Sequence, residues 1–187
     1  MLNATHFGIR SFPITKVKPC FQTFLLRLAS ESIPTSLFII KQIHASLIAA
    51  GTVIDSLPML NNLLRCYSCS DAPQFSVITY KQALKYPLPF NSFTYTFLIN
   101  SSANFTNPIP AGTQFHGLTI KIGFVAHVYV QTALVKLYCA GGLPNGAQHV
   151  FDDMPDKNKV TWNSIITGFA KMGCMNNALK LFDEMPE

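Results

Sequence analysis

Internal repetition constrains this chain more than any other feature. Residues 159–187 read K-V-T-W-N-S-I-I-T-G-F-A-K-M-G-C-M-N-N-A-L-K-L-F-D-E-M-P-E. Sliding them back by 31 residues places Gly173 on Gly142, Asn176 on Asn145, Ala178 on Ala147, Phe182 on Phe151, Asp183 on Asp152, Met185 on Met154 and Pro186 on Pro155. A unit of that length is too short to enclose a core, so the copies must stack on one another. A longer echo accompanies it: Gln42, His44, Ile48 and Gly51 recur as Gln114, His116, Ile120 and Gly123, each 72 residues later. That spacing is about two units, so units alternate in type. The same alternation pairs N-N-L-L-R-C-Y at 61–67 with T-A-L-V-K-L-Y at 132–138.

Within the clearest unit the pattern predicts two antiparallel helices. Leu134, Leu137 and Tyr138 share a helical face, and Gly142 suits the left-handed residue that ends a helix. Pro144 suits the first turn of the next helix, whose Ala147, Val150, Phe151 and Met154 follow i, i+3, i+4, i+7 spacing before Pro155 stops it. Upstream, apolar residues at 21–27 predict a short first helix, and Ser30, Ser32 and Pro34 predict a turn. Ile40, Ile43, Leu47 and Ile48 then mark a helix over 37–50 with a glycine stop at Gly51.

Composition narrows the class. Apolar residues make up 49% of the chain and charged residues 12%, which excludes a disordered chain and leaves a surface suited to partners or neighbouring helices. No run of 18 or more apolar residues occurs, so no membrane span is predicted. The net charge of +5 suits a polyanionic partner such as nucleic acid. Arg10, Lys16, Lys18 and Arg27 precede the first acidic residue, Glu31, so residues 1–20 read as an organellar transit peptide or a disordered lead-in. Five cysteines without regular spacing argue against a disulfide framework. Cys66 and Cys69 have the spacing of half a zinc site, but no second half follows; they read as ordinary helix cysteines.

V-T-W-N-S-I-I-T-G-F-A-K-M-G with A-L-K-L-F-D-E-M-P-E, preceded by A-Q-H-V-F-D-D-M-P-D-K-N, resembles the pentatricopeptide repeats of plant organellar RNA-binding proteins. N-S-F-T-Y-T-F-L-I from Asn91 and the Q-x-H-G-x-x-I-K-x-G-F helix from Gln114 are similar to the long repeat of the PLS subclass, which alternates long, short and standard units. The resemblance implies an all-α fold, a right-handed superhelical solenoid of antiparallel helix pairs like that of tetratricopeptide repeats. The offsets divide the chain into a long-type unit at 21–56, a hybrid at 57–91, a long-type unit at 92–127, a short-type unit at 128–158 and an incomplete unit at 159–187. The hybrid begins like a short repeat and ends like a standard one. With Pro73 where its second helix should begin and no A-x-x-x-F-D core, it is expected to pack poorly.

The resemblance also implies the binding residues. In this family one base is read per repeat through two or three side chains of the first helix and unit end. Pro58, Tyr129 and Val160 hold the second position, where an apolar side chain packs on a base face; Asn61, Thr132 and Asn163 hold the fifth. Thr132 with Asn158 at the unit's end is similar to an adenine reader, and Asn61 with Asn91 to a pyrimidine reader. Thr96 and His127 of the long unit are not dependable readers. For Asn61 and Asn163 the competing role is to cap or bond backbone amides. Trp162 is expected to pack between helices, and His44 and His116 to be structural or solvent-facing rather than metal ligands. Lys41, Lys121, Lys136, Lys171 and Lys180 are available for phosphate or for solvating the outer face.

No H-x-E, G-x-S-x-G, P-loop or H-E-x-x-H motif occurs, so no catalytic role, cofactor or metal is expected. By resemblance the chain reads as a truncated member without the C-terminal E/DYW deaminase region. It would be a non-catalytic module that recognises single-stranded RNA in organellar RNA processing or C-to-U editing, with a separate deaminase or editing cofactor protein as a further partner, in the mitochondrion or chloroplast. Two alternatives stand beside it: a helical protein-interaction scaffold, and a fragment without independent function whose last repeat exposes apolar surface.

Overall fold

A computed structural model of the chain describes residues 37–49 and 56–186. The reading of 1–20, the short helix at 21–27 and the stop at Gly51 lie outside the described residues. Among the described residues the regular structure is entirely α-helical: α1 (Leu37–Ala49), α2 (Leu57–Ser68), α3 (Gln74–Ala83), α4 (Ser92–Ala103), α5 (Ile109–Lys121), α6 (Val128–Ala140), α7 (Pro144–Asp152), α8 (Lys159–Lys171) and α9 (Met175–Glu184).

Loops of three to five residues join α2 to α3, α4 to α5, α6 to α7 and α8 to α9. Connections that short make each pair an antiparallel hairpin. The first helices α2, α4, α6 and α8 lie side by side, and each second helix also touches the first helix of the next pair. The result is two layers. Their shared core is built at helical spacing from Leu60 and Leu64 of α2, Tyr95, Leu98 and Ile99 of α4, and Val130, Leu134 and Leu137 of α6. It continues through Val135, Phe151, Ile165 and Phe169 toward the last pair. In α1, Ile40, Ile43 and Leu47 are buried as their spacing predicts, but Ile48 is exposed. The approach of α6 to α8 is close enough that a Cβ on Gly168 would overlap Sγ of Cys139.

Helix ends follow the sequence reading. Gly142 and Gly173 have φ of 69° and 78°. Past each of them the next amide bonds back across the turn, Leu143 N–H to Tyr138 O (2.9 Å) and Cys174 N–H to Phe169 O (2.9 Å). These bonds satisfy carbonyls that the helix end would leave open. Pro144 sits in the first turn of α7, where its missing N–H costs nothing.

The hybrid pair departs from expectation: it packs well. Pro73 is the N-cap of α3 and so does not interrupt it. In place of the missing apolar core residues, the buried Ser76 hydroxyl donates to Leu64 O (3.2 Å) and accepts from Ser101 Oγ (2.7 Å). Tyr80 fills the space beyond, edge-on to Phe90, Tyr95 and Phe115 at ring-centroid distances of 5.2, 6.2 and 6.0 Å. The end of α2 has no glycine; the Asn104 amide, reaching from the end of α4, donates to Ser68 O (2.8 Å) instead.

The two matched histidines are structural. Nδ1 of His44 lies 2.9 Å from the Tyr67 hydroxyl, and Nδ1 of His116 lies 2.8 Å from the Tyr138 hydroxyl, each pair edge-on. Each bond ties a Q-x-H helix to the first helix of the following pair. Burial lowers the His44 imidazole to about 4 and moves His116 in the same direction. Burial also raises the Tyr67 and Tyr138 hydroxyls.

Stacking decides what the repeated residues do. Phe151 of α7 is 2% exposed because Trp162 of α8 meets it edge-on at 4.8 Å and the Lys157 ammonium lies 5.2 Å from its ring. Its counterpart Phe182 of α9, identical by the 31-residue offset, is 65% exposed. Two tests follow. Phe151→Ala should cost about 3–5 kcal/mol in urea denaturation, whereas Phe182→Ala should stay within about 0.5 kcal/mol; equal costs would contradict the stacking account. The second concerns pH. A histidine held neutral by burial has a folded pKa below its unfolded value of about 6.5. Its contribution is complete above that value and is lost as pH falls toward about 4. The stability lost between about pH 7 and about pH 4.5 should therefore be smaller in His44→Phe than in the wild type, and an unchanged loss would refute the assignment.

Candidate nucleic-acid interface

The residues proposed to read bases lie at the starts of the first helices, and two chains of hydrogen bonds organise them. Helix α8 is N-capped by Asn158, whose Oδ1 accepts from Thr161 N–H (2.9 Å) and lies 3.1 Å from Thr161 Oγ1. Thr161 Oγ1 is in turn 2.9 Å from Thr132 Oγ1 on α6. Thr132 also donates to Val128 O (2.8 Å). The fifth residue of one pair and the cap of the next are thus joined through a fully buried hydroxyl.

The earlier junction repeats the arrangement. Asn91 caps α4 by accepting from Thr94 N–H (3.2 Å), and Asn91 N–H donates to Thr94 Oγ1 (3.3 Å), a reciprocal capping box. The Thr94 hydroxyl donates to Asn61 Oδ1 (2.7 Å), and Asn61 Nδ2 donates to Asn91 Oδ1 (3.1 Å). The structure therefore brings together Asn61 with Asn91, and Thr132 with Asn158. Asn61 is only 8% exposed and Thr132 only 7%. Because each cap oxygen must face the helix amide, the Nδ2 groups of Asn91 and Asn158 are the free ends, and no described residue bonds to either.

One residue into each first helix the side chain turns outward. Pro58, Phe93, Tyr129 and Val160 are all exposed, Tyr129 by 50% and Val160 by 60%. Phe93, which the sequence reading passed over, occupies the same register as the other three; that register was the signal. Its ring lies 5.4 Å from that of Tyr129, which stacks on His127 at 5.6 Å. No base fits between rings so close, but their open faces form one aromatic platform. Thr96 is buried with its hydroxyl bonded to Ser92 O (2.8 Å), so it offers a ligand little.

The Asn163 side chain is exposed and makes no hydrogen bond to any described residue. The alternative of capping thus applies to neither Asn163 nor Asn61; the caps are Asn91 and Asn158. Trp162 packs between helices against Phe151. Lys121, Lys136 and Lys171 are exposed, whereas Lys41 lies 4.6 Å from the Phe75 ring and Lys180 pairs with Glu184 at 3.8 Å. Burial, with the neighbouring Cys69 second, pushes the Cys66 thiol up to about 11, away from the thiolate a metal requires. Among the described residues no group of three or more His, Cys, Asp or Glu side chains could hold a metal ion. Nor is any described helix long and apolar enough to cross a membrane.

Stacked helix pairs with one recurring register facing outward define an α-helical repeat protein. Comparison with known proteins gives the class its family. A family model described as the PPR repeat matches residues 132–158 and 160–187. A mitochondrial pentatricopeptide repeat-containing protein of Arabidopsis thaliana is 36% identical over 92% of this chain and 40% of its own length. A second from the same organism is 36% identical over 70% of the chain and 26% of its own length, and another mitochondrial one 34% over 75% and 23%. The chain belongs to the pentatricopeptide repeat family. It spans 40% or less of the length of these relatives.

The caps separate structural from exposed asparagines. Asn158→Ala should destabilise the chain by about 1 kcal/mol, while Asn163→Ala should change stability by less than about 0.5 kcal/mol. Thermal denaturation of the two variants side by side would show it, and equal shifts would undo the distinction.

Proposed function

We propose that the chain is a non-catalytic module that binds single-stranded RNA in an organelle. The units at 57–91, 92–127, 128–158 and 159–187 act as successive contact units along the surface of α2, α4, α6 and α8. One observation carries the reading: the same register of α2, α4, α6 and α8 turns an apolar side chain outward, and at α2 and α6 it lies beside a polar pair, Asn61 with Asn91 and Thr132 with Asn158, that keeps unspent donors. Bases unstacked from a single strand need such a platform for their faces and such donors for their edges. Asn158 Nδ2 with a lone pair of Thr132 offers a donor and an acceptor, which suits the adenine edge. Asn91 and Asn61 offer amide N–H groups, which suit the acceptor-rich edge of a pyrimidine. Tyr129 and Val160 supply face contacts, and exposed lysines supply charge for phosphate.

Membership of the family and the mitochondrial names of two relatives support an organellar setting, the mitochondrion in particular. Service in C-to-U editing alongside a separate deaminase is the finer form of this proposal and rests on the resemblance to the PLS subclass. A second reading, a helical protein-interaction scaffold, draws on the exposed Met175, Leu179 and Phe182 of α9.

Fluorescence anisotropy with labelled 12-nucleotide single-stranded RNAs separates the two. Binding should weaken as salt rises, duplex RNA should compete poorly, and Tyr129→Ala should cost about 1–3 kcal/mol of affinity. A chain that binds no single-stranded RNA at low salt would turn the argument to the scaffold.

A further inference from the structure

The hydrogen-bond chains at the two junctions depend on a residue outside the reading positions. Thr94 and Thr161 each stand third in their helix, are fully buried, and bond both to the preceding pair and to their own N-cap. The junction between them lacks this device. There the third residue of α6 is Val130, which is buried and has no hydroxyl. Its N-cap, His127, makes no capping bond through its side chain. The fifth residue of the preceding pair, Thr96, turns its hydroxyl back onto Ser92 O. The second residues also differ, since the rings of Phe93 and Tyr129 meet at a tilt with centroids 5.4 Å apart.

We propose that Thr94 and Thr161 are positioning residues that decide where bases are read. Each locks the polar fifth side chain of one helix pair to the cap asparagine of the next, and the junction at Val130 reads none. The hydroxyl acts through its geometry. It occupies the inward side of Asn61 or Thr132 and the oxygen side of the cap amide, so that only the outward donors and lone pairs remain for a ligand. A selected base would therefore be held by two adjacent helix pairs at once, and recognition would depend on how those pairs stack. This inference rests on the RNA-binding reading above.

The test uses the full chain, with 12-nucleotide oligo(A), oligo(C) and oligo(U) RNAs as probes. Thr161→Val keeps the buried shape and removes the hydroxyl. It should lower affinity for oligo(A) by roughly fivefold and leave oligo(C) and oligo(U) unchanged, the loss of about one hydrogen bond. Thr94→Val should do the reverse, weakening oligo(C) and oligo(U) by roughly as much and sparing oligo(A). Thr161→Ser and Thr94→Ser restore the hydroxyl without the methyl group, and should recover the base preference even where the melting temperature falls. That crossed pattern supports the inference, because a purely structural residue would shift all probes together. Valine variants that keep the wild-type preferences, or lose affinity for every probe equally, overturn it while the RNA reading stands. A wild-type chain that binds none of the probes overturns both.

Discussion

Everything in this molecule depends on the fact that a helix pair of this length cannot bury its own apolar stripe. Phe151 and Phe182 are the same residue in the same repeat context, yet one is enclosed and the other faces outward. The difference is the neighbour: α8 and the segment leading into it bring Trp162 and Lys157 onto Phe151, and no described helix does so for Phe182. Stability is therefore carried at the junctions between pairs, as nearest-neighbour terms, as well as within them.

The junctions are also where polar groups are organised. Among the bonds that cross from one pair to the next, two kinds recur with the alternation of unit types. His44–Tyr67 and His116–Tyr138 fasten a second helix to the first helix that follows it. Asn61–Thr94 and Thr132–Thr161 fasten one first helix to the next. Buried polar groups without partners would be costly, so these bonds also select the register in which the pairs stack. The N-cap asparagines stand where this internal network meets solvent, each spending its oxygen on the helix and leaving its amide nitrogen free.

Much of the architecture was legible in the residues. The 31-residue offset announced stacking, glycine and proline marked the helix ends at Gly142 and Pro144, and helical spacing named the core faces of α6 and α7. The hybrid pair was misjudged because its pattern departs from the repeat. Ser76 and Tyr80 replace the usual core with a hydrogen-bonded crossing and an aromatic cluster, which no spacing rule anticipates. The candidate interface was legible in part. The family resemblance singled out Tyr129, Val160 and the polar pairs, which stand exposed and adjacent respectively, but it passed over Phe93 in the same register and gave no sign that Asn61 and Thr132 are nearly enclosed.

Taken alone, the sequence determined that this is an all-α array of repeats of the pentatricopeptide family, where α6 ends and α7 begins, and which residues of α6 and α7 share a face. These are local properties, written in periodicity, caps and turn residues that act within a few positions. The tertiary structure alone decided which copy of a repeated residue is buried, which asparagine caps and which is exposed, and that Thr94 and Thr161 link the fifth residue of one pair to the cap asparagine of the next. Those outcomes depend on the helix that lies alongside, and contacts between residues 29 to 33 positions apart leave no mark in local periodicity.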